Sequence, residues 1–100
     1  MILVRNVFQL KFGKARDAVP VLKEGVAIAK RLGFGDGPVR ILTDLTGPYY
    51  TVVLEMTFQN LAAVEHGSAK VMSDSQWQGN YQKFVPFVDS GYREIFTIVE

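Results

Sequence analysis

The spacing of hydrophobic and polar positions changes period several times along the chain, and each change marks an element. Over residues 2–10, Ile2, Val4, Asn6, Phe8 and Leu10 alternate with Leu3, Arg5, Val7 and Gln9, the period of two that a strand imposes. "FGKARD" then turns the chain. From about Arg16 to Leu32 the apolar positions Val19, Leu22, Val26, Ala29 and Leu32 follow helical spacing, flanked by Lys23, Glu24, Lys30 and Arg31. Pro20 requires that this helix begin only a few residues earlier, because proline has no amide hydrogen for the helix interior, and Gly33 and Gly35 supply its stop. "PVRILTDLT" and "YYTVVLEMTF" alternate as two more strands, with "TGP" at residues 46–48 as a connection short enough for a hairpin. Asn60 is placed to cap a second helix, "LAAVEHGSAKVM", which Gly67 weakens in its middle. Asp74 or Ser75 caps a third, running to about Val85, where Pro86 disfavours a helical residue before it. Trp77, Tyr81, Phe84 and Val88 fall at helical steps along this last stretch, and "YREIFTIVE" closes the chain as a strand.

Strand, helix, strand, strand, helix pair, strand is the split βαβ order of a ferredoxin-like α+β domain, here one domain over residues 1–100 with a four-stranded antiparallel sheet and its helices on one face. Alternation assigns Ile2, Val4, Phe8, Val39, Ile41, Tyr50, Val52, Leu54, Met56, Phe96 and Ile98 to the face under the helices. The other face collects Leu3, Val7, Leu42, Val53, Ile95 and Val99 among Arg5, Arg40, Arg93, Asp44 and Glu55. A solvated sheet face is mainly polar, so this one calls for a cover. The expectation is a homodimer through this sheet face, with a two-fold axis setting each arginine opposite an acidic residue of the partner.

Composition narrows the partners. Hydrophobic residues make up 48% of the chain and charged ones 21%, a globular balance, and the formal charge is +1. Apart from the adjacent Lys30 and Arg31 no basic cluster is evident, so nucleic acid is not an expected partner. With no cysteine there is no disulfide, thiolate nucleophile or cysteine metal site. The opening "MILVRNVFQLK" reads as a strand and not a signal peptide, and no apolar run approaches the roughly 20 residues of a membrane span, so a cytoplasmic protein without membrane partners is expected.

The pattern resembles the dimeric α+β barrel superfamily, which includes the antibiotic-biosynthesis-monooxygenase-like and NIPSNAP-like families. The resemblance runs over nearly the whole chain, through the first strand into "LKFGKARDAV", then "VVLEMTFQNLAAVEH", "SDSQWQGNYQKF" and "YREIFTIV". It implies a homodimer in which two four-stranded sheets form a barrel, with one small-molecule cleft per subunit between helices and sheet. It also implies a range of activities, from cofactor-independent oxygenases on polycyclic aromatics to haem-binding and haem-degrading proteins and proteins of unknown function, so fold alone does not choose among them.

Asn6 stands out, because the alternation sets a polar amide on the helix-facing side between Val4 and Phe8, where it must find partners. The resemblance implies a substrate-facing asparagine on the first strand, and Phe8, next on the same face, is assigned to the same ligand site; the plain alternative is an amide bonded to backbone or water. His66, the only histidine, has no second histidine to share a metal, and as a proton carrier it lacks a visible orienting carboxylate. Haem-degrading relatives place an iron-binding histidine in the third helical segment; "WQGNYQKF" offers none, and no metal or other cofactor is expected. Trp77 and Tyr81 read either as core or as one wall of a cleft, since each brings a polar tip that a cleft satisfies more readily. "GFGDGP" opens a strand and not a helix, so it is a turn and not a phosphate cradle. Asp44 and Glu55 suit salt bridges better than acid–base catalysis. The expectation is therefore a homodimer with a cleft for a hydrophobic or aromatic small molecule. As an enzyme it would be a cofactor-independent monooxygenase, with Asn6 and His66 as catalytic residues and Phe8, Trp77 and Tyr81 against the ligand. The alternative is a non-catalytic NIPSNAP-like binding or assembly module.

Overall fold

In the computed structural model, which describes all 100 residues, strand β1 (Ile2–Leu10) lies inside the sheet, between β3 (Thr51–Phe58) and β4 (Val88–Thr97), and β2 (Arg40–Thr43) extends the far edge. Every pairing is antiparallel, in the order β2-β3-β1-β4, which is the ferredoxin-like arrangement. Helices α1 (Ala15–Arg31), α2 (Leu61–Met72) and α3 (Ser75–Phe84) complete the fold. No helix is long and apolar enough to cross a membrane.

Local chemistry sets the helix ends. The Asn60 side chain accepts from the Ala63 amide at 2.9 Å, and the Asp74 carboxylate from the Trp77 amide at 2.9 Å, each satisfying a donor that the first turn leaves free. At the exit of α1, Gly33 adopts a left-handed φ of 80°, and the amides of Gly33 and Phe34 reach back to the carbonyls of Lys30 and Ala29. This paired closure needs a residue without a Cβ, and it delivers Phe34 onto Phe58, ring centroids 4.9 Å apart. The helical stripe ends at Phe84. A single 3-10 turn, Val85–Phe87, carries Pro86, and Val88 belongs to β4 and not to α3.

The hairpin between β2 and β3 is wider than "TGP" alone predicts. Residues 44–50 lie outside both strands; the Asp44 carboxylate accepts the Thr51 amide, and Tyr50 turns left-handed at φ 59°. Its ring packs on Phe12, centroids 4.7 Å apart, while its carbonyl still accepts the Leu10 amide of β1 at 2.9 Å.

β4 turns the opposite face inward from the one its pattern suggests. Its register sets Val4 opposite Ile95, Asn6 opposite Arg93 and Leu3 opposite Phe96. Directly paired residues share a face, so Arg93 and Ile95 lie on the helix side and Phe96 on the outer side, the reverse of the pattern-based assignment. The ambiguity is physical: Ile95 and Phe96 are adjacent and both apolar, and a slip of one residue inverts a strand.

On the outer face the charges are settled within the chain. Glu55 accepts from Arg5 at 2.9 Å and from Arg40, while Arg5 also reaches Glu94 at 2.9 Å. Both arginines therefore have acidic partners of their own sheet, where the sequence suggested partners across a two-fold axis. Burial alone pushes the Glu55 carboxyl up, but the hydrogen bonds from Arg40 and Arg5 outweigh it and hold the group below the ordinary carboxylate range. The Glu55 hydrogen bond is the chief reason that the Arg5 guanidinium is held above its usual value. Asp44 takes no part; it closes the hairpin.

Candidate functional site

The helix side of the sheet holds two separate packing clusters. Leu10, Ala18, Leu22, Val52 and Phe84 join α1 and α3 to one end of the sheet, and Val4, Met56, Phe58 and Val64 join α2 to the other. Between sheet and helices lies a cleft of about 720 Å³, within the range of small-molecule sites. Of the 25 residues that line it, 17 are hydrophobic, and all three helices contribute along with β1, β3 and β4.

Several glycines shape this space. Gly67 lies against the Phe34 ring, where a Cβ would come within 2.4 Å of it, so the residue that weakens α2 as a helix is what admits Phe34 to the cleft wall. A Cβ on Gly25 of α1 would lie 2.8 Å from the Asn80 amide nitrogen. That absence lets α3 approach closely enough for Asn80 to donate to the Val21 carbonyl at 2.9 Å. Gly91, paired with Phe8, leaves room for the Phe8 ring across β4.

Four of the five residues singled out from the sequence meet in the cleft. Asn6 faces it from β1, half-buried, and its side chain makes no hydrogen bond to the protein. Phe8 lines it beside Asn6 and meets Phe84 edge-on at 5.1 Å. Trp77 and Tyr81 line it from α3 as a stacked pair, centroids 5.0 Å apart with planes 14° from parallel. A residue and the fourth after it share a helix face, which explains the stack. Phe84, the next on that face, is buried and belongs to both core and cleft. His66 is not brought to them: α2 turns Val64, Ser68 and Val71 inward, and His66, two residues from either neighbour, is exposed.

Ser68, Gln78, Ser90 and Tyr92 also line the cleft, together with two polar residues that bear on its chemistry, Asn80 and Arg93. Asn80 is buried, with its amide oxygen unpartnered. Its signal was present, because Trp77, Asn80 and Phe84 also fall at helical steps. Arg93 is the only lining residue with a charged side chain, and it makes no ion pair. Its signal was hidden by the choice of register for β4. Tyr81, Tyr92 and Arg93 are the only lining residues with ionisable side chains, so the cleft itself holds no carboxylate, histidine or lysine to act as a general base. No three His, Cys, Asp or Glu side chains are grouped to hold a metal ion.

No protein-family model matches the chain, and no curated protein does. Solved structures do. A protein of Agrobacterium tumefaciens, described as a NIPSNAP family protein with unknown function, superposes with a TM-score of 0.91 at 20% identity, over 100% of this chain and 95% of that one. An uncharacterised NIPSNAP domain protein from Burkholderia xenovorans gives 0.88 at 16% identity, over 99% and 95% of the two chains. A putative antibiotic biosynthesis monooxygenase from Nitrosomonas europaea gives 0.78 at 11% identity, over the whole of both. The chain thus has the fold of the NIPSNAP and antibiotic-biosynthesis-monooxygenase-like proteins.

Proposed function

We propose that the protein binds a hydrophobic or aromatic small molecule in the cleft between helices and sheet, and works as a homodimer through the outer sheet face. The observation that carries the first part is an open, mainly apolar space whose polar groups do not satisfy one another: the Asn6 amide has no protein partner, and the stacked Trp77–Tyr81 pair offers an aromatic wall. Apolar area gives such a site affinity, and a few unspent polar groups give it orientation. The second part is supported by Tyr92 and Phe96, 62% and 47% exposed on the outer face, next to Leu3, Val7 and Val53.

A catalytic version is a second reading, favoured by the free amide of Asn6 and by the likeness to structures described as antibiotic biosynthesis monooxygenases. With no carboxylate, histidine or lysine among the lining side chains, the substrate would have to ionise readily by itself, as an acidic phenol does. Oxygenation at an activated CH₂ would then place one oxygen atom of O₂ in the product and release the other as water, all four electrons coming from the substrate. His66 enters this reading only as an exposed proton carrier outside the cleft.

The test is a titration with polycyclic phenols, both neutral and acidic, read by calorimetry, on the wild type, Asn6→Ala, Tyr81→Ala and a cleft-filling Ser68→Phe variant. Saturable binding at one site per chain, weakened by the first two changes and lost in the third, is the expected result. Equal binding by the wild type and a folded Ser68→Phe variant would place the ligand elsewhere. Oxygen uptake accompanying the titration separates the catalytic from the binding reading. Sedimentation at micromolar concentration should give twice the 11.2 kDa chain mass, and a monomer there contradicts the dimer.

A further inference from the structure

We propose that the cleft's ligand is an anion: an apolar body carrying one carboxylate, which Arg93 holds at the β4 side with the Asn6 amide beside it. This rests on the reading of the cleft as a ligand site and adds the charge of its occupant. Asn6 and Arg93 are paired across β1 and β4 and both line the cleft. Cross-strand partners keep their Cβ atoms about 4.5–5.5 Å apart, so one small group can touch both side chains. The sheet carries three arginines. Arg5 and Arg40 are each held by carboxylates on the outer face, while Arg93 has no acidic partner and no side-chain hydrogen bond.

In the open cleft water solvates Arg93, which is exposed, so the unpaired charge costs little. A ligand seated across β4 would displace that water. A neutral one would leave the guanidinium desolvated without compensation, whereas a carboxylate replaces water with two charge-assisted hydrogen bonds. The number of charges favours a monoanion: Arg93 is the only cation that lines the cleft, and a phosphate dianion would remain half uncompensated. Asn6 supplies a further donor, because its amide nitrogen is unused within the protein.

The experiment pairs each acid with a neutral counterpart of the same shape: 2-naphthoate with methyl 2-naphthoate for an aromatic body, decanoate with decanol for an aliphatic one. Affinity is measured by calorimetry, with the emission of Trp77, the only tryptophan and a lining residue, confirming occupancy. In at least one pair the carboxylate should bind about tenfold tighter or more, the effect of a hydrogen-bonded charge pair. Arg93→Gln should bring acid and neutral ligand within about twofold of each other without weakening the neutral one, and Arg93→Lys should keep part of the preference. Binding of acid and neutral ligand with equal affinity in both pairs overturns the anion assignment and leaves the cleft reading standing. A preference that survives in Arg93→Gln also overturns it. Binding of none of the four overturns both.

Discussion

The two faces of the sheet treat arginine in opposite ways. On the outer face Arg5 and Arg40 share Glu55, and Arg5 also takes Glu94, so every guanidinium has a carboxylate before any other molecule arrives. On the inner face Arg93 stands alone among mainly apolar residues. Charges compensated within one chain suit a surface that can be covered by apolar contact at little electrostatic cost. An uncompensated one suits a surface whose cover brings a charge with it.

Substitutions on either face separate these roles. The strongest effect is expected at Phe58, which is 2% exposed and holds Phe34 at the cleft wall: Phe58→Ala should lower unfolding free energy by about 3–5 kcal/mol in urea titration. Next is Glu55. Glu55→Gln leaves two arginines without their shared carboxylate, but both keep some contact with water, so the loss should be about 2 kcal/mol, below the roughly 3–5 of a fully buried pair. The same group predicts an acid response. Its folded pKa is held below the ordinary value, so its stabilisation is complete above about pH 4.3 or slightly higher and is lost as pH falls through the lowered value. Urea midpoints should therefore drop on acidification below that point in the wild type and drop less in Glu55→Gln. An equal drop in both would remove Glu55 from the account.

Gly67→Ala is a smaller test, with a sign that distinguishes the packing role from the helical one. On an exposed helix this change stabilises by about 1 kcal/mol. Against the Phe34 ring it should cost about 1–2 kcal/mol, and a stabilised variant would show that the ring moves aside freely. Smallest is Arg93→Gln, expected to shift stability by less than about 0.5 kcal/mol, as at most exposed positions. If it destabilised as much as Glu55→Gln, the contrast between the two faces would fail.

Periodicity made most of the architecture legible. Alternation in β1 and the helical spacing in α1 each admit one reading, and Asn60 and Asp74 mark helix starts by their side-chain chemistry. Asn6 and Phe8 followed from that reading because β1 has an unambiguous inner face, and Trp77 and Tyr81 because a spacing of four puts them on one side of α3. Arg93 was illegible for a specific reason. In β4 the run Glu94, Ile95, Phe96 puts apolar residues on both faces, so the pattern cannot say which side faces inward, and only pairing with β1 decides. Gly67 was obscured differently. A glycine inside a helix reads as a defect until the ring it accommodates is placed on it. His66 had apt chemistry but lies on the wrong side of its helix, which the spacing from Val64 and Val71 already indicates.

The division of labour between the faces is tested most directly by mapping amide chemical shifts on titration with 2-naphthoate. Saturable shifts centred on Asn6, Trp77, Tyr81 and Arg93 are expected, with Leu42, Val53 and Glu55 unmoved. Shifts centred on the outer face, or scattered without saturation, would contradict it.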